Sequence, residues 1–269
     1  MATKKAATSK KASSSRKTVS TKTSSKPKTT VTTVSAAATT PSFSESIRQF
    51  SFWRALTAEF LATFLLAAVF IVGQGQPLYI FFAFVGIVLL FGTVSGSYAN
   101  PAVAVAAWIT RRISWIRALG YILAEVLGAL VAYIVLSGFI SGAAASSLTS
   151  AGATLFSAAA LVAGKEWYVF FAELLGTLIL GFAFANALRN TQDRFTSAFT
   201  AGAGIFVALM VAFIAASYVG GTAILNPAIA AAMKGLTWNV WPLAVYILAP
   251  VIGATAGFFL NDFVKGSSK

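Results

Sequence analysis

Six stretches of this chain are apolar almost without interruption: residues 54–73, 78–95, 117–138, 167–187, 198–217 and 240–261. Each approaches the roughly 20 residues with which a helix crosses the hydrocarbon of a bilayer, so the pattern predicts six membrane-spanning helices. Trp53, Tyr79, Trp115, Trp167, Tyr168, Trp238 and Trp241 fall near their ends, where interfacial anchors belong. Two further apolar runs start at Asn100 and Asn226. At about ten residues they are too short to span a membrane and too apolar to be comfortable in water. They read as half-helices dipping into the membrane, each with Asn as N-cap and Pro at the first helical position, where its missing donor costs nothing.

Composition agrees with this pattern. With 58% hydrophobic and 10% charged residues and a mean hydropathy of +0.80, the chain has more apolar surface than a water-soluble domain could hide in one core. The absence of Cys and His removes disulfides, thiol catalysis, histidine bases and most zinc sites, and only seven acidic residues are left for carboxylate chemistry. An enzyme is not expected, nor is a metal site. An ion-coupled transporter is disfavoured too, because Glu59, Glu125 and Glu173 make no evident coupling constellation.

The net charge of +13 is unevenly placed: residues 1–42 carry nine Lys or Arg and no acid. Rich in Ser, Thr and Ala, this tail has too little apolar surface to offset the entropy of ordering and is expected to be disordered. A solvated extension without a specific partner, contacts with anionic lipid, regulatory phosphates or an organelle address are its candidate readings. Nucleic-acid binding is not expected, since no aromatics interleave the basic residues. Placing the N-terminus in the cytoplasm puts Arg48, Arg54, Arg111, Arg112, Arg117, Arg189, Arg194, Lys265 and Lys269 on that side and leaves Lys165 and Lys234 opposite. By the positive-inside tendency both termini are then cytoplasmic; a plasma membrane is expected rather than an internal one.

The sequence repeats itself. AEFLAT at 58–63 answers AELLGT at 172–177, NPAVAVAA at 100–107 answers NPAIAAAM at 226–233, and YILAEVLGA at 121–129 answers YILAPVIGA at 246–254. The expected organisation is a basic tail (1–42), a first half (43–138), an extracytoplasmic connection (139–166), a second half (167–262) and a short C-terminus (263–269). Three crossings per half force the second half to enter the membrane inverted. The two half-helix N-termini could then meet near the midplane, bringing unpaired backbone donors, positive dipole ends and the Asn100 and Asn226 amides to one passage. Such a site would pass neutral molecules, interrupt proton chains and repel cations. Glu59 and Glu173, equivalent positions in the leading helices, are expected to accept donors from the re-entrant loops. Glu125 has Pro250 opposite it in the repeat, and its role stays open. Gly128 and Gly253 need only mean close helix packing.

Two NPA motifs, SG shortly before the first, AEF and AEL in the leading helices and YILAPVIGA in the last together resemble the aquaporin or major intrinsic protein family over about residues 50–262. The resemblance implies an all-α membrane protein, a bundle of six transmembrane helices and two re-entrant half-helices in an inverted repeat. It also implies one pore per subunit, a homotetramer, and water, glycerol or related small neutral solutes as substrates without cofactor. It assigns Asn100, Pro101, Ala102, Asn226, Pro227 and Ala228 to the paired pore motifs. Two positions depart from the family pattern. Tyr98 stands where many members have histidine, and NPAI replaces the usual NPAR, putting Ile229 in place of the selectivity-filter arginine. By spacing, the outer constriction falls at Ile80, Ile214, Ala223 and Ile229, with a one-residue slip allowed at Ile214. An aliphatic constriction is either dewetted and closed to water or open to less polar solutes. A small-solute channel is therefore preferred; a strict water channel, or a closed-pore scaffold or junction protein with a partner-binding tail, are the alternatives.

Overall fold

The computed structural model describes residues 43–145, 155–190 and 192–266, all helix and connecting loop. The basic tail and the middle of the connection between the halves lie outside the described residues. The elements are α1 (Phe43–Arg48), α2 (Phe50–Val72), α3 (Pro77–Phe91), α4 (Pro101–Ile109), α5 (Trp115–Ala145), α6 (Glu166–Ala187), α7 (Arg194–Ser217), α8 (Pro227–Ala232), α9 (Val240–Leu243) and α10 (Ala249–Lys265). A π-helical turn at Ala244–Leu248 joins α9 to α10, so the last two helices run as one apolar rod from Val240 to Lys265.

Five of these helices are long and apolar enough to cross a membrane: α2, α5, α6, α7 and the α9–α10 rod. The second stretch differs from expectation. The hydropathy pattern predicts a full span over 78–95, but α3 has 15 residues, about 22 Å against a hydrocarbon core of about 30 Å. Its helix stops at Phe91 because the glycine-bearing segment from Gly92 to Gly96 turns there to feed the loop before Asn100. Two other boundaries move. A short helix, α1, precedes the first span, tied to α2 by the Trp53 indole N–H donating to the Ile47 carbonyl at 2.7 Å. Helix α5 also continues to Ala145, taking in the first seven residues of the expected connection, since the Ala- and Gly-bearing segment keeps its helical backbone bonds.

The helices pack as related pairs: α2 lies along α5, α6 along α10, and α3 along α7. With lipid outside, burial of apolar surface does little to hold helices together, and close approach of backbones at small residues has to do it. Gly128 of α5 faces the Phe60 carbonyl of α2, and Gly253 of α10 faces Leu174 and Thr177 of α6; a Cβ at either position would collide with that neighbour. Each short helix also leans on the other half, α4 against α10 and α8 against α5. The π turn sits where Pro250 requires it: proline cannot donate, and its ring would strike the Tyr246 carbonyl four residues back, so the backbone widens just before it. At the start of α7, Asp193 caps Phe195 and Thr196. The Thr196 hydroxyl and these backbone donors hold its carboxyl below the usual range.

Candidate functional site

The two short helices begin side by side. Asn100 and Asn226 have extended backbones and cap their own helices, Asn100 Oδ1 accepting from Ala102 N at 3.0 Å and Asn226 Oδ1 from Ala228 N at 3.0 Å. Their amide nitrogens then cross over. Asn100 Nδ2 donates to the Leu225 carbonyl at 2.7 Å, and Asn226 Nδ2 donates to the Ala99 carbonyl at 2.8 Å. Each cap is thus oriented by the loop of the opposite half. Since an amide nitrogen carries two protons, one donor on each asparagine is left over after the crossing bond.

The crossing works because the residue before each asparagine is turned. Ala99 has φ 48° and Leu225 φ 60°, a left-handed conformation that costs a non-glycine residue about 1 kcal/mol or more. Carboxylates buried in the leading helices hold it. Glu59 accepts from Tyr98 N at 3.0 Å and Ala99 N at 2.8 Å; Glu173 accepts from Ile224 N at 2.6 Å and Leu225 N at 2.9 Å. Ala99 and Leu225 are therefore gripped at both ends of the residue, the N–H by a carboxylate of their own half and the C=O by an asparagine of the other. Glu59 and Glu173 are both fully buried, and an ionised carboxylate at such depth would be costly without these donors.

Two more pairs escaped the sequence reading. Tyr121 donates its hydroxyl to the Ser95 carbonyl at 2.9 Å, and Tyr246 donates to the Thr222 carbonyl at 3.1 Å. Both open the repeated YILA segment, so the repeat itself was the signal that could have found them. Glu125 Oε1 accepts from Asn100 N at 3.1 Å, giving the first loop a third carboxylate contact that Pro250 cannot supply to the second.

The remaining predicted positions divide. Ile80, Ala223 and Ile229 are buried, as is Tyr98. Ile214 does not join them: it is 51% exposed, facing away from the buried Ala212 and Ala216 side of α7, because two residues along a helix turn the side chain by about 200°. Its neighbour Phe213 packs inward beside Gly75 and Phe156. The Tyr98 ring lies 5.5 Å from Tyr121 and 5.4 Å from Phe184, whose ring is in turn 6.3 Å from Phe84. A cavity of 470 Å³ opens onto Tyr98, lined also by Arg112, Leu188 and Arg189. Both arginines pair with Asp262 Oδ1 at 2.7 Å, a cluster with no counterpart in the repeat and no sequence signal.

Residues 46–261 match the family described as Major intrinsic protein. The chain belongs to that family. It is 34% identical over 222 residues to a glycerol uptake facilitator protein-like 6 of Lactiplantibacillus plantarum, covering 77% of this chain and 95% of that protein. It is 34% identical over 229 residues to the lens fiber major intrinsic protein of Lithobates pipiens (81% and 83% covered) and 30% over 234 residues to Aquaporin-1 of Homo sapiens (79% and 82%). The fold is shared with the aquaglyceroporin from Plasmodium falciparum, at TM-score 0.60 and 20% identity over 80% of this chain and 97% of that one. The protein is accordingly an integral, multi-pass membrane protein and, as a member of the family, a passive channel and not an enzyme.

Proposed function

We propose that this chain conducts water and small neutral solutes such as glycerol along a passage bordered by Asn100 and Asn226. The reciprocal Asn–carbonyl bonds carry the reading. They leave one amide donor on each asparagine for a passing oxygen, beside the positive ends of α4 and α8. A water or hydroxyl that accepts from both has its lone pairs engaged, which breaks a proton-conducting file, and the same positive potential opposes cations. In this reading Asn100, Pro101 and Ala102 form one pore motif and Asn226, Pro227 and Ala228 the other. Glu59, Glu173, Tyr121 and Tyr246 hold the loops to shape.

Ile80, Ala223 and Ile229 form an aliphatic constriction without the family's arginine, and Phe213 takes the α7 position in place of Ile214. Tyr98 narrows the other side with Phe84 and Phe184. A constriction with no fixed charge holds water less firmly than an arginine-bearing one and favours solutes with carbon surface. The topology belonging to this reading is six crossings, α3 being the short one, with α4 and α8 entering from opposite faces as halves of an inverted repeat. Residues 43–138 form the first half and 167–262 the second, both termini are cytoplasmic, and four copies assemble in the plasma membrane. In this reading the basic tail contacts anionic lipid or regulatory partners.

Stopped-flow volume changes of liposomes containing the full-length protein, under water, glycerol and urea gradients, test it. The expected result is water flux together with flux of at least one solute above protein-free vesicles. Water flux alone replaces the reading with a strict water channel, and background rates from assembled protein replace it with a closed scaffold.

A further inference from the structure

Away from the asparagine loops, the outer faces of α2 and α5 enclose a groove of 520 Å³. Gly128 and Gly120 of α5 meet Phe60, Phe52 and Leu56 of α2 in matching register, so the two helices run parallel with their N-termini at one end. The groove follows them from Phe52 to Phe60 and from Ile116 to Leu127, roughly 16 Å at 1.5 Å per residue. Gly120 and Ala124 form its floor, and Trp53, Leu119, Leu123 and Leu127, all about half exposed, form its walls.

At the N-terminal end Phe52 and Ile116 also line a second, adjoining cavity of 250 Å³ with different chemistry. Ser46, Gln49, Ser114 and Arg117 line that cavity with hydroxyl, amide and guanidinium groups, and among the described residues no carboxylate lines either space. Arg112 also reaches it but is already paired with Asp262. Among the described residues no carboxylate pairs with Arg117, whose guanidinium lies 6.0 Å from the Tyr121 ring centroid.

We infer that this composite cavity is a binding site for one anionic glycerophospholipid, its phosphate held at Arg117, Ser46 and Ser114 and one acyl chain lying in the groove between α2 and α5. The occupant follows from the two chemistries in sequence. A cationic pocket with hydroxyl and amide groups able to donate suits a phosphodiester, and an apolar trough of about this length suits the upper part of an acyl chain. Free phosphate would satisfy the pocket and leave the groove empty. A neutral lipid would fill the groove and leave Arg117 without a counter-charge.

Native mass spectrometry of the full-length protein with equimolar dioleoyl phosphatidylglycerol and dioleoyl phosphatidylcholine tests this. Phosphatidylglycerol should be retained about fivefold better, the effect of one basic residue near a membrane surface. Arg117→Gln should remove that preference with the tail intact. Leu123→Trp, which fills the groove, should reduce retention of both lipids, while Leu175→Trp on α6 should leave retention unchanged. A preference that survives Arg117→Gln would assign it to the basic tail and overturn the site. So would unchanged lipid retention in Leu123→Trp, including the case where that variant alters the subunit count and so marks the groove as an interface between copies.

Discussion

The loop before Asn100 and the loop before Asn226 reach the same geometry with different supports. Both turn the preceding residue left-handed, both clamp it with two N–H bonds to a buried glutamate, and both tie an upstream carbonyl to a tyrosine hydroxyl. The first loop adds Glu125 on the Asn100 N–H, whereas the second has Pro250 and a π turn in that place. The second compensates at its cap, where Asn226 Oδ1 also receives the Ile229 N–H at 3.4 Å. The crossed asparagine bonds demand one arrangement of four atoms. The carboxylate and backbone details that produce it are free to differ.

The strongest way to break this equivalence is to remove a glutamate. Glu59→Ala and Glu173→Ala each orphan two buried N–H groups, at about 1–3 kcal/mol apiece, and both should abolish or severely lower the melting temperature in detergent. A large loss in only one of them would mean that the loops are not equivalent. Next in size, Asn100→Asp and Asn226→Asp replace the crossing donor by an oxygen facing a carbonyl. Each should lose solute flux or assembly to a similar degree in liposome assays, and an unchanged permeability profile in either would remove that asparagine from the pore.

Ile229→Arg sharpens the comparison on the selectivity side. A solute barrier raised by about 1.4 kcal/mol lowers the glycerol-to-water flux ratio roughly tenfold, and an unaltered ratio would place the constriction elsewhere. Glu125→Gln keeps an oxygen for the single Asn100 N–H, so its melting temperature should fall by less than that of Glu59→Ala. The smallest effect belongs to Tyr121→Phe and Tyr246→Phe. Each deletes one hydroxyl bond worth about 1 kcal/mol, and two unequal shifts in a thermal melt would show that one loop leans on its tyrosine more heavily.

Much of this molecule was legible in one dimension because a membrane restricts what a chain can do. Long apolar runs have to be helices, and the NPA, AEF/AEL and YILA repeats pair the residues and point to the family. Periodicity could not give the length of α3, since Gly92 to Gly96 is apolar enough to resemble a span yet is needed as a turn. Spacing from Asn226 likewise put Ile214 toward the site, because counting residues through an irregular loop cannot say which way the preceding helix is rotated.

The residue types, their pairing between halves and the membrane setting were thus decided by the sequence itself. The choice of atoms was left to the tertiary structure: Asn100 reaches Leu225 across 125 positions, Asn226 reaches Ala99 across 127, and Arg112 and Arg189 converge on Asp262. Repeats and hydropathy record local preference and ancestry. A hydrogen bond between distant segments exists only once the helices that carry them have packed.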